Sequence, residues 1–428
     1  MTRPKNNPSA QRGRSIFDDA SRIFEGDRTM WIIYAVLIIL SILVVYSSTA
    51  KMAYDITSKM STTDALRTQL MFVLMSIPLI YFIHKMDFHT FRRYTPVLYY
   101  LFVALTVAAY LFGSTTNGAA RWLPIGPFQF QPSEGLKIMT ILMLAKCMEP
   151  RQLDINKIHL LPTSFKFGDP VQKRIIRENT IPLLGPVMLS CGVILPAHTS
   201  SAIIIMGASI IMLYIGRVSI KEITKFIVVM CAVGGLCLGV LGLGRGDTAG
   251  GRLKAWTKEW TTDGKCQSMT DMSDTQRAMV AIRNGGLFGE GAGHSTSRVV
   301  VVHPESDYAY AFFVSEYGII TALLLMLLYL WIFFRSIEIC RRCHTAFSML
   351  ATAGLGLLIT IQALLHILVQ INIIPETGQT LPLISRGGTS MLFTSIAIGI
   401  IISISRTNAL AEQREAEKRQ TAKSNDNE

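Results

Sequence analysis

Half of the 428 residues are apolar and only 16% are charged, and the mean hydropathy is +0.38. A soluble domain of this length needs more charged surface, so the composition indicates a polytopic membrane protein. The net charge of +12 fits loops held against anionic headgroups and calls for no nucleic acid, and the seven cysteines form no disulfide framework.

In chain order, the polar stretch 1–29 carries no signal-peptide pattern and reads as a charged tail. Ten apolar blocks follow: 31–47, 70–83, 97–112, 135–148, 181–197, 201–216, 226–244, 308–334, 347–374 and 389–405. Each is a candidate span of a hydrocarbon core about 30 Å thick; the second and fourth are short, so eight or nine spans remain open. The expectation is an all-α membrane domain over 30–405, with a large outer loop at 245–307 and a second tail at 406–428. With the N-terminus inside, the tails and even-numbered loops hold most of the 41 basic residues, which places both termini in the cytoplasm.

Three polar clusters interrupt the apolar pattern, and in this topology all three face outward. The first is NGAARWLPIGPFQFQPSEGLK, 117–137. Arg121 and Trp122 suit a headgroup-level position. Ser133 is the expected cap of a new helix, and Glu134 and Lys137, three apart, share a helix face and can pair. A structural ion pair is as good a reading of these two as a catalytic role.

The second cluster closes the long loop. Its basic part carries Arg252, Lys254, Trp256, Lys258 and Trp260. The glycine-rich RNGGLFGEGAGHS (283–295) permits tight turns, or simply a compact surface loop. HPESDYAYAFFVSEYG (303–318) then brings Glu305, Asp307 and Glu316 to the start of an apolar run, where a carboxylate at membrane depth costs roughly 2.5–3.5 kcal/mol. Asp307 falls at the outer boundary, where it can stay ionised. The third cluster, PETGQTLPLISRGGTS (375–390), breaks any helix between two spans, and such backbone is tolerated only against protein or a water-filled cavity. Cys340-Arg-Arg-Cys343-His344 spells the haem c attachment pattern. Its loop is expected on the cytoplasmic side with no domain to wrap a porphyrin, so no haem is expected.

These motifs, in this order and spacing, resemble the SEDS family (shape, elongation, division and sporulation) over about 30–405, and most nearly its division-septum branch. The resemblance implies a ten-helix peptidoglycan glycosyltransferase in the bacterial cytoplasmic membrane, polymerising lipid II at the outer face. It also implies as partners the growing glycan strand, a class B penicillin-binding protein transpeptidase and other divisome membrane proteins. The family's essential acid falls on Asp307, as catalytic base for the acceptor hydroxyl. Glu316 takes a structural or gating part. Arg121, Glu134, Lys137, Ser385, Arg386 and Gly387 fall on its substrate-binding positions, and Gly388 continues the same turn. A divalent cation, Mg2+ or Mn2+, is a candidate helper that would arrive with the substrate, since no dedicated metal site is marked. The chain departs from the family pattern at Ala197 and His198, where many members carry an acid, at His366, where Asn is common, and at Arg386, where many have Tyr. Rival readings are a lipid-linked precursor transporter, an elongation-type polymerase, or a non-catalytic scaffold for the transpeptidase. The transporter would need polar residues lining both halves of the membrane; here only His198 and His366 are expected in the inward half.

Overall fold

The computed structural model describes residues 24–49, 62–116, 119–125, 128–162, 169–242, 251, 256–257 and 272–425. Helix α1 spans Arg28–Thr49, α2 Thr62–Lys85 and α3 Phe88–Phe112; three short strands follow, β1 Ser114–Thr116, β2 Ala119–Ile125 and β3 Phe128–Phe130. Next come α4 Pro132–Met148, α5 Pro170–Ile175, α6 Ile181–Ile194, α7 Thr199–Ile215 and α8 Ile220–Gly242. The chain closes with α9 Asp274–Gly285, α10 Ala309–Arg341, α11 Ala346–Gln370 and α12 Thr389–Asn425.

Each of the ten apolar blocks overlaps a helix. Six helical segments are long and apolar enough to cross a membrane: Arg28–Thr49, Leu66–Lys85, Phe88–Phe112, Ala309–Arg341, Ala346–Gln370 and Thr389–Thr421. The helices on the other four blocks do not meet that measure among the described residues. The all-α expectation needs one correction. Strands β1, β2 and β3 form an antiparallel sheet in that order, with Thr115 opposite Ala120 and Pro124 opposite Gln129. A short sheet satisfies backbone groups in the connection between α3 and α4 that no helix would.

The burial pattern decides where a site can lie. Helix α4 buries residues around its whole circumference, and α11 does so along most of its length. Both are therefore interior helices, and a polar side chain on either faces protein. At one end of the bundle, Glu25 pairs with Lys85 at 3.0 Å and Arg406 at 3.2 Å, and Asp27 with Arg335 at 2.7 Å. These pairs tie the start of α1 to the end of α2, the last two turns of α10 and the middle of α12. The polar clusters gather at the other end.

Helix α9 is built by its own sequence. Ser273 caps it, with the Gln276 side chain reaching back to the Ser273 N–H as a reciprocal box. Its Ala278 and Ala281 pack with Val301, Tyr308 and Ala311, so the outer loop lies over the start of α10. The glycine-rich segment then runs against a break in α10. Gly318 adopts φ +80°, and a Cβ there would lie 2.3 Å from the Leu287 carbonyl oxygen; Gly289 has φ +83° and comes equally close to the Glu316 carbonyl. Ile319 N–H donates to Gly286 C=O (2.9 Å), and Glu290 and Gly291 N–H to Ser315 and Glu316 C=O (3.0 Å each). Here the glycines serve chain-to-chain approach.

Candidate functional site at the polar end of the bundle

The acid expected to act, Asp307, is half-buried in a turn that precedes α10. Distances along a helix therefore do not relate it to Glu316. The turn folds back on itself, with the Ser306 and Tyr308 N–H both donating to His303 C=O at 3.1 and 3.3 Å. His303 takes φ +48°, a left-handed conformation uncommon outside glycine.

Three consecutive carbonyls of this turn are gripped from outside it. Glu305 C=O accepts from the Arg386 N–H at 2.7 Å, Ser306 C=O from the Ser385 hydroxyl at 2.8 Å, and Asp307 C=O from Gln370 Nε2 at 2.5 Å. Ser385 also accepts from the Leu381 N–H at 2.8 Å, which orients its hydroxyl. The 375–390 connector is thus a clasp on the Asp307 turn, and its own strained residue is Leu383, buried at φ +65°. The sequence expectation of non-helical backbone held against protein is met: residues 371–388 form no helix.

Glu305 had no role in the sequence reading beyond its charge. It is buried, with His303 Nδ1 3.7 Å from its carboxylate. Burial works to raise its pKa, but the neighbouring His303, its own backbone N–H and the nearby Arg386 outweigh this and hold it below the ordinary value. His303 is raised in turn, first by Glu305 and more weakly by Asp307 and Asp274. The Asp307 turn thus carries, immediately beside the acid, a His303–Glu305 pair that is ionic when the imidazole is protonated. Arg386 is half-buried at the same place.

Glu134 and Lys137 pair at 2.8 Å, exposed by 6% and 1%. Lys137 Nζ also donates to Gln362 Oε1 (3.1 Å) and Gln379 Oε1 (3.5 Å), while Glu134 accepts from Ser390 at 3.4 Å. In this conformation Lys137 is committed to protein, and reaching an incoming phosphate requires that the pair open. The cap differs from expectation. The cap lies two residues earlier, at Gln131, with helix α4 starting at Pro132, so Ser133 lies inside its first turn; proline at the first helical position has its φ preset.

Gln379 is the hub that the sequence did not reveal. Its amide nitrogen meets the His198 ring (2.8 Å), Ser200 (3.1 Å) and Ser201 (3.0 Å). Its carbonyl lies 2.7 Å from His366 Nδ1. His198 and His366 therefore belong to the same end as the polar clusters. Their expected place in the inward half is wrong, because His198 caps the start of α7 and His366 lies in the last two turns of α11. Glu316 is buried in α10, accepting from the Gly293 N–H at 3.0 Å and from the Ser47 hydroxyl. Those bonds tie α1, α10 and the glycine loop together.

Arg121 has its backbone in β2, but its side chain lies outside the described residues, as do Arg252, Lys254, Lys258, Trp260 and both chain ends. Trp256 is described and donates to the Asn372 carbonyl at 3.2 Å. Among the described residues no group of three or more His, Cys, Asp or Glu side chains is arranged to hold a metal ion. In the CxxCH stretch Cys340 is buried in α10, and the Cys343 sulfur lies 3.4 Å from Ile339 C=O and 3.2 Å from Asn408. The two thiols are not presented together to a porphyrin.

Against known proteins, the family model FTSW_RODA_SPOVE, described as "Cell cycle protein", matches residues 27–410. Stage V sporulation protein E of Bacillus subtilis is 27% identical over 391 residues, covering 89% of this chain and 97% of its own length. A protein named "Probable peptidoglycan glycosyltransferase FtsW" from Coxiella burnetii is 28% identical over 322 residues, covering 74% of this chain and 78% of its own. The fold matches a chain in a solved structure described as "Structural coordination of polymerization and crosslinking by a peptidoglycan synthase complex". The TM-score is 0.66 at 19% identity, covering 90% of this chain and 98% of that one.

Proposed function

The chain belongs to the FtsW/RodA/SpoVE family of cell cycle proteins, and from that premise we propose that it polymerises lipid II into glycan strands at the outer face of the bacterial cytoplasmic membrane. The observation that carries this reading is the grip on the Glu305–Asp307 turn by Arg386, Ser385 and Gln370. An acid held by three successive main-chain bonds at the polar end of an apolar bundle is placed to within a narrow range, as a general base must be.

The acceptor sugar hydroxyl attacks the anomeric carbon of the donor and gives its proton to the Asp307 carboxylate. The bond from that carbon to the diphosphate oxygen breaks, and its electron pair leaves on undecaprenyl diphosphate. Configuration at the donor carbon inverts. Charge developing on the leaving group calls for cations, and Arg121, Arg386 and, once its pair with Glu134 opens, Lys137 are the candidates. A divalent cation, Mg2+ or Mn2+, would come bound to the diphosphate. A class B penicillin-binding protein transpeptidase is the natural partner, since a glycan strand must be crosslinked. We assign the chain to the division septum, with both termini cytoplasmic; the elongation role is the nearest rival.

The histidine positions favour polymerisation over transport. Both histidines meet Gln379 of the 375–390 cluster at one end of the bundle, whereas a transporter would spread polar residues along a path to both faces. Purified protein given fluorescent lipid II in detergent, alone and with the transpeptidase, tests the proposal. A ladder of glycan polymer is expected. Translocation of the lipid across vesicles with no polymer under any condition would replace it with the transporter reading.

A further inference from the structure

Gln370 and His366 lie one turn apart near the end of α11, 0% and 2% exposed, and every polar atom of the two side chains has an assigned partner. Gln370 Oε1 accepts the Ala311 N–H at 2.9 Å. That N–H is one of the donors left without an intrahelical partner at the start of α10, so the orientation of the amide is fixed by geometry. Gln370 Nε2 must then spend its two hydrogens on Asp307 C=O at 2.5 Å and on His366 Nε2 at 3.0 Å. A ring nitrogen that accepts carries no proton. His366 is therefore the neutral tautomer with hydrogen on Nδ1, which donates to Gln379 C=O at 2.7 Å. The same Gln379 accepts from Lys137 through Oε1.

We propose that Gln370, oriented by neutral His366, is a positioning residue for Asp307. One amide holds the carbonyl of the residue that precedes the α10 cap and the free N–H inside the first turn of that helix. It thereby sets the angle at which the Asp307 turn enters α10, and with it the place of the carboxylate. The inference rests on the reading of Asp307 as the base. It adds an amide and an imidazole, neither of which touches substrate, as the pair that fixes where that base stands.

Two substitutions separate the parts. Gln370→Glu keeps an oxygen for the Ala311 N–H and nearly the same shape, but its carboxyl has one hydrogen at most, and none when ionised, where the amide gave one each to Asp307 and His366. Gln370→Leu keeps the packing and removes all three bonds. Steady-state polymerisation of fluorescent lipid II by the full-length protein with its transpeptidase, together with the melting temperature, reads both. For Gln370→Glu the expected result is a fall in kcat of about 10–100-fold, the scale on which small misplacements cost rate. KM should stay within about two-fold and the melting temperature near that of the wild type; His366→Phe should show the same split in milder form. A purely structural role would instead lower the melting temperature and folded yield while leaving kcat per folded molecule unchanged. That outcome, or failure of both Gln370 variants to fold, overturns the proposal. Asp307→Asn in the same assay keeps the two readings apart: if it is inactive while Gln370→Glu is fully active, Asp307 stands as the base and the positioning role falls. If Asp307→Asn polymerises at the wild-type rate, the underlying reading itself is lost.

Discussion

Lys137 and Glu134 are 2.8 Å apart with almost no surface exposed, so neither has water to replace its partner. Removing one strands the other at a cost of about 3–5 kcal/mol, whereas removing both costs far less. Glu134→Ala or Lys137→Ala alone is therefore expected to lower the yield of folded protein more than the double substitution does. Gel-filtration recovery checks this, and equal recoveries for singles and double would remove the pairing argument. At the Asp307 turn, His303 titrates above the ordinary imidazole value of 6.5 because Glu305 stabilises its charge. A raised folded pKa contributes stability in full below that ordinary value, and the contribution disappears as pH rises through the folded pKa. The melting-temperature gap between wild type and His303→Ala should therefore be largest on the acid side of 6.5, down to where Glu305 begins to protonate. It should close as pH is raised beyond 6.5 through the folded pKa, and a gap that widens with pH would contradict the pair. The i, i+3 pairing of Glu134 with Lys137 was readable from spacing alone. Gln370 and Gln379 were not, because an amide in an apolar run carries no motif. The available signal was His366 and Gln370 four apart on one helix face.

At the scale of elements, the apolar blocks fall where helices form, because burial in a bundle or a membrane needs the same continuous apolar run, and six of those helices are long and apolar enough to span. What composition could not supply was the sheet at 114–130, whose strands are three to seven residues long, or the purpose of the glycines. RNGGLFGEGAGHS reads as a set of tight turns or a compact surface loop until its neighbour is seen. Its backbone in fact lies against the break in α10, where side chains would collide. Gly289 and Gly293 make the test, since both have positive φ (+83° and +75°) but only Gly289 has backbone at 2.2 Å from an added Cβ; Gly293 has nothing within 4 Å. Alanine at Gly293 pays the conformational cost alone, on the order of 1 kcal/mol. Alanine at Gly289 adds a backbone clash and should lower the melting temperature clearly further. Equal effects would mean that the close approach contributes nothing.

Across the whole molecule, polar chemistry is segregated. Ion pairs among Glu25, Asp27, Lys85, Arg335 and Arg406 close one end. The other end gathers a buried ion pair, two histidines, three glutamines and the clasped Asp307 turn from five separate stretches of chain. Segregation of this kind suits chemistry at one membrane face better than passage between two. It also explains why the site was only partly readable: the three polar clusters announce themselves, but nothing in the order of residues says that 385–386 grips 305–306. The most direct measurement is the rate of lipid II polymerisation by Asp307→Asn. The clasp holds main-chain carbonyls, which asparagine keeps, so expression, membrane insertion and co-purification with the transpeptidase should persist. A general base contributes about 10²–10⁴-fold, and the rate should fall by that factor to near background. Polymerisation by Asp307→Asn at the wild-type rate would contradict the account.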